Sequence, residues 1–208
     1  MELFFSPLAC SMASRITLYE AGGSATFVEV DAKAKRTVAG LDYYTINPLG
    51  LVPALRLPGG QILFENAAIL QALADLYPQA ALAPRSGFAR SVLQQWLSFI
   101  GTELHKSLFV PLFDKAQPEA SRDKTLLAGA KRLAVLQAHL EGREFLLDGW
   151  SVADAYLTTV LNWHLSADID LSGWPVVNAY FARMCARPAI AKAMSEERAL
   201  YAEALRRH

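Results

Sequence analysis

The chain has 208 residues, of which 53% are hydrophobic, so it can fill a core and lacks the composition of a disordered segment. Its 20 lysines and arginines are balanced by 20 aspartates and glutamates, whereas a general nucleic-acid binder needs excess basic residues to displace counterions. We therefore expect a globular protein of one or two domains that does not bind nucleic acid.

The start of the chain and its cysteines indicate the compartment. Residues 1–10 lack a basic stretch followed by a long apolar run, and no apolar stretch approaches the ~20 residues that cross a bilayer. The two cysteines, Cys10 and Cys185, are far apart and form neither a disulfide framework nor a zinc site. We expect a cytoplasmic protein without a metal and without a membrane partner.

Residues 1–80 mix strand and helix signals. The predicted elements, in order, are strand 1–6, helix 11–20, strand 26–30, strands 52–57 and 61–65, and helix 66–77. A polar stretch, 32–47, separates the second strand from the third, and Pro58-Gly59-Gly60 predicts a hairpin turn between the last two strands. This order indicates an α/β domain.

The rest of the chain is predicted to be helical. Apolar stripes at helical spacing run through 92–104 and 126–140, and two further helices, 174–187 and 189–206, are separated by Pro188. Ser151 and Asp154 have the spacing of a capping box. We expect an α/β domain at 1–80, a linker at 81–87 and an all-α domain at 88–208.

Cys10 stands where the first strand gives way to the first helix. A helix N-terminus favours a thiolate over a thiol, although an exposed helix end supplies only ~0.3–1 kcal/mol. The residue is therefore either a reactive thiol or a small packed side chain. Because Ala13 occupies the place of the second cysteine in a dithiol motif, a reactive Cys10 needs a thiol from outside, for which glutathione is the natural candidate.

Two further positions in the sequence suit the binding of an extended peptide ligand. Pro53 opens a strand and forces Val52 to be extended, and a cis bond between them would leave Val52 free to pair with a peptide backbone. Asn66 is a good helix cap, and the helix start can receive a carboxylate while Glu65 takes an ammonium. The alternatives are an ordinary strand-edge proline and plain helix capping.

Five blocks in register resemble glutathione S-transferases, and in particular the bacterial beta class. They are residues 6–11 (SPLACS), 47–55 (NPLGLVPAL), 64–70 (FENAAIL), 102–106 (TELHK) and 151–157 (SVADAYL). The resemblance covers nearly the whole chain. It implies the cytosolic glutathione S-transferase fold, in which a thioredoxin-like α/β domain precedes an all-α helical bundle.

The resemblance implies a site for glutathione, which serves as co-substrate. Cys10 would face the sulfur of the tripeptide and can form a mixed disulfide with it. Val52, ahead of a cis-Pro53, would pair with the cysteinyl backbone, and Glu65 and Asn66 would hold the γ-glutamyl end.

Other matching positions extend this site. Lys35 would reach the glycyl carboxylate, His105 and Lys106 would line the cleft from the helical side, and Thr102 and Glu103 would approach across a dimer interface. The implied binding residues are Cys10, Lys35, Leu51, Val52, Pro53, Glu65, Asn66, Ser98, Thr102, Glu103, His105 and Lys106. The implied catalytic residues are Cys10, Ser11 and His105.

The sequence departs from the family pattern at several positions. The family commonly has a serine where Asn66 stands, but an amide can still accept or donate, so we expect binding to survive. Many members have an asparagine where Ser98 stands. Phe4 and Phe5 leave the first strand without a tyrosine hydroxyl, so Cys10 is the preferred neighbour of the sulfur and Ser11 the alternative donor.

The implied function is conjugation of the glutathione thiolate to small hydrophobic electrophiles, a detoxification reaction, by a homodimer. The acceptor pocket would lie between the first helix and the helix that carries His105. Two alternatives stay open: glutathione-dependent thiol transfer or disulfide reduction through Cys10, and a non-catalytic scaffold or ligand-binding protein on the same fold.

Overall fold

The computed structural model describes residues 1–207, which form two compact units. The first unit consists of Met1–Ala83 together with the segment from Arg187 onward, and the second is Pro84–Ala186. The predicted succession of an α/β thioredoxin-like part and an all-α part is confirmed. The last helix, however, groups with the first unit, whereas the sequence analysis assigned it to the helical domain.

The strands are β1 Glu2–Phe5, β2 Thr26–Asp31, β3 Arg36–Thr37, β4 Ala54–Arg56 and β5 Ile62–Phe64. The helices are α1 Met12–Glu20, α2 Asn66–Leu76, α3 Gly87–Phe99, α4 Val110–Phe113, α5 Glu119–Leu140, α6 Val152–Leu161, α7 Pro175–Cys185 and α8 Pro188–Arg206. A π-helical segment, Ile100–Phe109, joins α3 to α4 without a break. Short 3₁₀ turns lie at Tyr43–Thr45, Pro78–Ala80 and Leu171–Gly173.

The sheet of the first unit has the order β3-β2-β1-β4-β5. β1 is parallel to β2 and antiparallel to β4, so the strand that precedes Cys10 lies in the centre. Successive residues of β1 face opposite sides: Leu3 packs with Leu18 and Ile69, while Phe4 packs with Tyr43 on the other face. Leu18 belongs to α1 and Ile69 to α2, so both helices pack on the same side of the sheet.

The second unit is built from α3 to α7 and the π-helical segment. A β-carbon added to Gly129 on α5 would overlap a methyl group of Leu108, so the absence of a side chain lets α5 approach the π-helical segment closely. The predicted capping box is confirmed, because Ser151 accepts from the Ala153 N–H while Asp154 accepts from the Ser151 N–H. Within residues 1–207, no helix is long and apolar enough to span a bilayer.

Candidate active site

The loop between β1 and α1 carries Cys10. A turn closes it, in which the Ala9 N–H donates to the Ser6 carbonyl at 3.1 Å and Leu8 has a φ of +58°. The Cys10 thiol is half-buried and donates to the Val52 carbonyl at 3.3 Å. The structure therefore brings the predicted thiol and the predicted peptide-binding residue together.

Ser11 has different surroundings from its neighbour. It is fully buried, and its hydroxyl accepts from the Ser6 N–H and donates to the Ser6 carbonyl, each at 3.3 Å. The hydroxyl thus stabilises the turn that precedes Cys10. This engagement disfavours Ser11 as a donor to the sulfur of a bound thiol.

The segment before β4 offers an unused main-chain donor. The Val52–Pro53 peptide bond is cis, and the Leu51 carbonyl is fixed by the Tyr43 hydroxyl at 3.0 Å and by the Asn47 amide at 2.7 Å. The Val52 N–H has no hydrogen-bond partner among residues 1–207. Since buried or half-buried main-chain groups are normally paired, this N–H is suited to an extended ligand.

The start of α2 offers two more such donors. Glu65 is exposed with a φ of +63°, and its carbonyl accepts from the N–H groups of Ala68 and Ile69. The N–H groups of Asn66 and Ala67 make no hydrogen bond within the described part of the chain. A helix N-terminus with two unpaired N–H groups favours an anion, while the Glu65 carboxylate beside it favours a cation.

The Asn66 side chain serves a purpose that the sequence did not indicate. It is buried, accepts from the Ser14 hydroxyl at 3.2 Å and donates to the Cys10 carbonyl at 3.2 Å. The amide therefore connects α2, α1 and the Cys10 loop, and it is the main-chain N–H of Asn66 that stays available to a ligand. The sequence did not indicate Ser14 as a site residue, because its contact with Asn66 joins residues 52 positions apart and leaves no local motif.

Lys35 lies on the same side of the first unit as the segment that leads to Val52. Its Nζ donates to the Gly50 carbonyl at 2.9 Å, and its φ is +54°. Gly50 has a φ of +61°, and a β-carbon there would lie 2.9 Å from the Tyr44 ring, so glycine is required for this approach. Leu8, Lys35 and Glu65 all hold sparsely populated backbone conformations, which cluster at ligand sites.

In the second unit, His105 lies in the π-helical segment. Its Nδ1 is 2.8 Å from the Tyr156 hydroxyl, and its ring centroid is 4.9 Å from that of Trp163. Burial, and then the charge of Lys106, lowers the pKa of His105 to about 4, so the imidazole is neutral at neutral pH. Single-turn π-bulges within helices are frequent at functional sites, and this segment extends the same geometry over ten residues.

The remaining predicted residues lie on the surface of the second unit. Ser98, Thr102 and Lys106 are exposed, and the Thr102 hydroxyl donates to the Ser98 carbonyl at 3.0 Å. Glu103 forms an ion pair with Arg132 at 2.7 Å. Within residues 1–207, no group of three His, Cys, Asp or Glu side chains is arranged to hold a metal ion.

Fold and site together define a protein of two units, in which a thioredoxin-like sheet presents a cysteine loop beside a cis-proline. Residues 9–76 match the family model of the glutathione S-transferase N-terminal domain, and residues 101–188 match that of the C-terminal domain. The chain belongs to the glutathione S-transferase family. The resemblance drawn from the sequence is thereby confirmed.

Individual relatives agree over almost the full chain. The glutathione S-transferase GstA of Escherichia coli O157:H7 is 41% identical over 95% of this chain and 98% of its own. A bacterial beta class enzyme from Sphingomonas chungbukensis superposes with a TM-score of 0.90 at 41% identity, covering 95% of this chain and 98% of the other. A sphingomonad glutathione S-transferase solved in complex with glutathione gives the same four values, with a TM-score of 0.90, 41% identity, and 95% and 98% coverage.

Proposed function

We propose that this glutathione S-transferase holds glutathione along the first unit and joins its sulfur to small hydrophobic electrophiles. One observation carries the proposal. Three main-chain N–H groups that have no partner within residues 1–207, those of Val52, Asn66 and Ala67, flank the exposed carboxylate of Glu65 and the Cys10 thiol. An extended γ-glutamyl tripeptide has the complementary groups in the same order.

Each end of the tripeptide has a partner of opposite charge. The γ-glutamyl carboxylate accepts from the N–H groups of Asn66 and Ala67, and its ammonium pairs with Glu65. The cysteinyl backbone pairs with Val52 as an added strand, and Lys35 takes the glycyl carboxylate. The sulfur then lies beside Cys10.

The chemistry depends on ionising the glutathione thiol. A thiol with a pKa of ~8.5 is only about 3% ionised at pH 7, whereas at ~6.5 it is about three-quarters thiolate. We propose that the Cys10 thiol turns from the Val52 carbonyl and donates to this sulfur. The thiolate then forms a carbon–sulfur bond to the electrophile, a leaving group such as chloride departs with its electron pair, and the thiol proton goes to solvent.

A titration with glutathione, followed by conjugation of a chlorinated nitroaromatic, tests this function. Glu65→Gln should raise the KM for glutathione about tenfold, because it removes the charge that faces the ammonium. Glu203→Gln, at an exposed position of α8 in the same unit, is the matched control and should leave KM unchanged. Wild-type protein that bound no glutathione would overturn the proposal.

The partly exposed Cys10 thiol, just before the N-terminus of α1, also favours a second activity, thiol transfer. The Cys10 thiolate would attack a glutathione mixed disulfide, forming a Cys10–glutathione disulfide and releasing the other thiol. A second glutathione thiolate would then release oxidised glutathione and restore Cys10. Cys10→Ser should abolish reduction of a hydroxyethyl mixed disulfide, because a hydroxyl forms no disulfide, yet spare conjugation, because the serine hydroxyl can still donate to the glutathione sulfur. Loss of both activities together would contradict this division.

We further propose that the protein acts in the cytoplasm, in detoxification, as a homodimer. The apolar side chains exposed on the single chain, such as Leu49, Leu51 and Phe113, support association with a second copy. Thr102 and Glu103 are proposed to reach the site across that interface. A monomer on light scattering would remove both residues from the site.

A further inference from the structure

A buried carboxylate of the last helix reaches the cysteine loop. Glu197 on α8 is fully buried, and its Oε2 accepts from the Leu8 N–H at 2.7 Å. Its Oε1 lies 2.9 Å from Nε of Arg15, whose guanidinium is packed against the rings of Phe5 and Phe27 at 4.4 and 3.9 Å from their centroids. A buried charge of this kind is costly unless its oxygens are engaged. Oε2 accepts a hydrogen bond, whereas Oε1 is held by the ion pair with Arg15, whose geometry is not that of a hydrogen bond.

A four-residue turn with proline at its second position is compatible with both type I and type II geometry, and the turn that Glu197 contacts is held in one of them. Pro7 and Leu8 are its central residues, and the φ of +58° at Leu8 makes it type II in character. Type II turns prefer glycine at this third position because a β-carbon is disfavoured at positive φ. Type I, which Leu8 would otherwise favour, differs by a flip of the Pro7–Leu8 peptide and so points the Leu8 N–H elsewhere.

We propose that Glu197 is a positioning residue for Cys10: its carboxylate holds the Leu8 N–H, and thereby keeps the turn in the form that presents Cys10 to the sulfur of glutathione. The inference rests on the proposed function, because it concerns the same site. Glu197 itself touches neither the tripeptide nor the reacting atoms. It acts through the turn, two residues before Cys10.

The charges around Glu197 set the pH at which this contact changes. Burial raises the pKa of Glu197 to about 7, against the opposing effects of Arg15 and the Leu8 N–H. The other facing groups are Glu196 on α8, which accepts from Tyr19 and pairs with Arg15, and Lys192, which lies over the Tyr19 ring. As the pH rises through about 7, Glu197 becomes a charged and stronger acceptor, and the turn is held more firmly.

Amide NMR on the intact protein tests the coupling directly. In the wild type, the Leu8 and Cys10 amide resonances should shift together with a midpoint near that pKa of about 7. Glu197→Gln should abolish this titration and lower kcat/KM for glutathione about tenfold above pH 7, with the two proteins converging at about pH 6. Glu196→Gln is the matched control, and both the titration and the activity should survive it.

A rescue variant separates positioning from general destabilisation. Glycine accepts positive φ without strain, so adding Leu8→Gly to Glu197→Gln should recover most of the lost kcat/KM. Three results would each overturn the inference. They are an equal loss of kcat/KM in Glu197→Gln and Glu196→Gln, no recovery on adding Leu8→Gly, and a wild-type Cys10 amide that does not titrate. If the wild type binds no glutathione, the proposed function fails, while the amide titration still decides whether Glu197 controls the turn.

Discussion

Ser11 and Cys10 are neighbours in sequence, yet only one of them is available for chemistry. The Ser11 hydroxyl bonds both main-chain groups of Ser6, so Ser11→Ala should lower the free energy of unfolding by about 1–3 kcal/mol, because it leaves buried groups unpaired. We expect the pKa of bound glutathione, followed by thiolate absorbance, to stay as in the wild type. A rise of that pKa in Ser11→Ala without loss of stability would make Ser11 the thiol donor after all.

A second prediction at the residue scale concerns His105 and the pH dependence of the free energy of unfolding. Its pKa is lowered from 6.5 to about 4, so the unfolded chain binds the proton first as the pH falls. The stability that neutral His105 contributes is complete above pH ~6.5 and is lost as the pH falls toward ~4, by about 3 kcal/mol in all.

Denaturant unfolding of the wild type and of His105→Gln measures this loss, since other groups titrate alike in both proteins. The difference between their unfolding free energies should be constant from pH 7 to 8 and shrink by about 3 kcal/mol at pH ~4. A difference that stays constant down to pH ~4 would contradict the lowered pKa.

Several of these residues could be predicted from the sequence because motifs identify them. Cys10 lies just after a strand end, Val52 lies before a proline, and Glu65 lies before a helix start. The roles of the Asn66 side chain and Glu197 could not be predicted. Asn66 bonds a hydroxyl on another helix, and Glu197 lies 189 positions from its partner Leu8, so neither contact leaves a local sequence signal.

At the scale of elements, the sequence predicted most helices and strands because their apolar spacing is regular. The two-residue strand β3, Arg36–Thr37, was missed because so short an element carries no alternation. The π-helical segment Ile100–Phe109 was read as ordinary helix, since an apolar stripe of this length does not separate the two geometries.

Gly129 tests how tightly the π-helical segment packs against α5. Alanine normally favours a helix over glycine by about 1 kcal/mol, but here its β-carbon would overlap a methyl group of Leu108. We expect Gly129→Ala to lower the free energy of unfolding by about 1–3 kcal/mol through overpacking. Gly101→Ala is the control, since its β-carbon would make an ordinary 3.6 Å contact, and a stabilising effect of both substitutions would show that α5 adjusts freely.

At the scale of the molecule, the sequence predicted α8 but not its partner, because periodicity identifies a helix and not the surface it covers. Charged side chains decide its position within the first unit. Arg187 holds Glu20 through two hydrogen bonds of 3.0 and 3.1 Å, and Arg15 pairs with Glu196 and Glu197. A helix at the end of the chain thereby becomes part of the unit that carries the cysteine loop.

Arg15→Met should show how far the position of α8 in the first unit depends on the ion pairs of Arg15. The substitution removes Arg15, which lowers the pKa of the buried Glu197, so that pKa rises above about 7 and the carboxyl either takes up a proton or stays charged without its partner. Removing one partner of a buried pair costs about 3–5 kcal/mol. Hydrogen exchange should then show lost protection in α8 and α1, while α6, in the core of the second unit, keeps its own. Adding Glu197→Gln to Arg15→Met should restore most of the loss, because it removes the buried carboxyl group that has lost its partner. Equal loss of protection in α6, or a double variant no more stable than Arg15→Met, would mean that the buried pair is not what holds the last helix to the first unit.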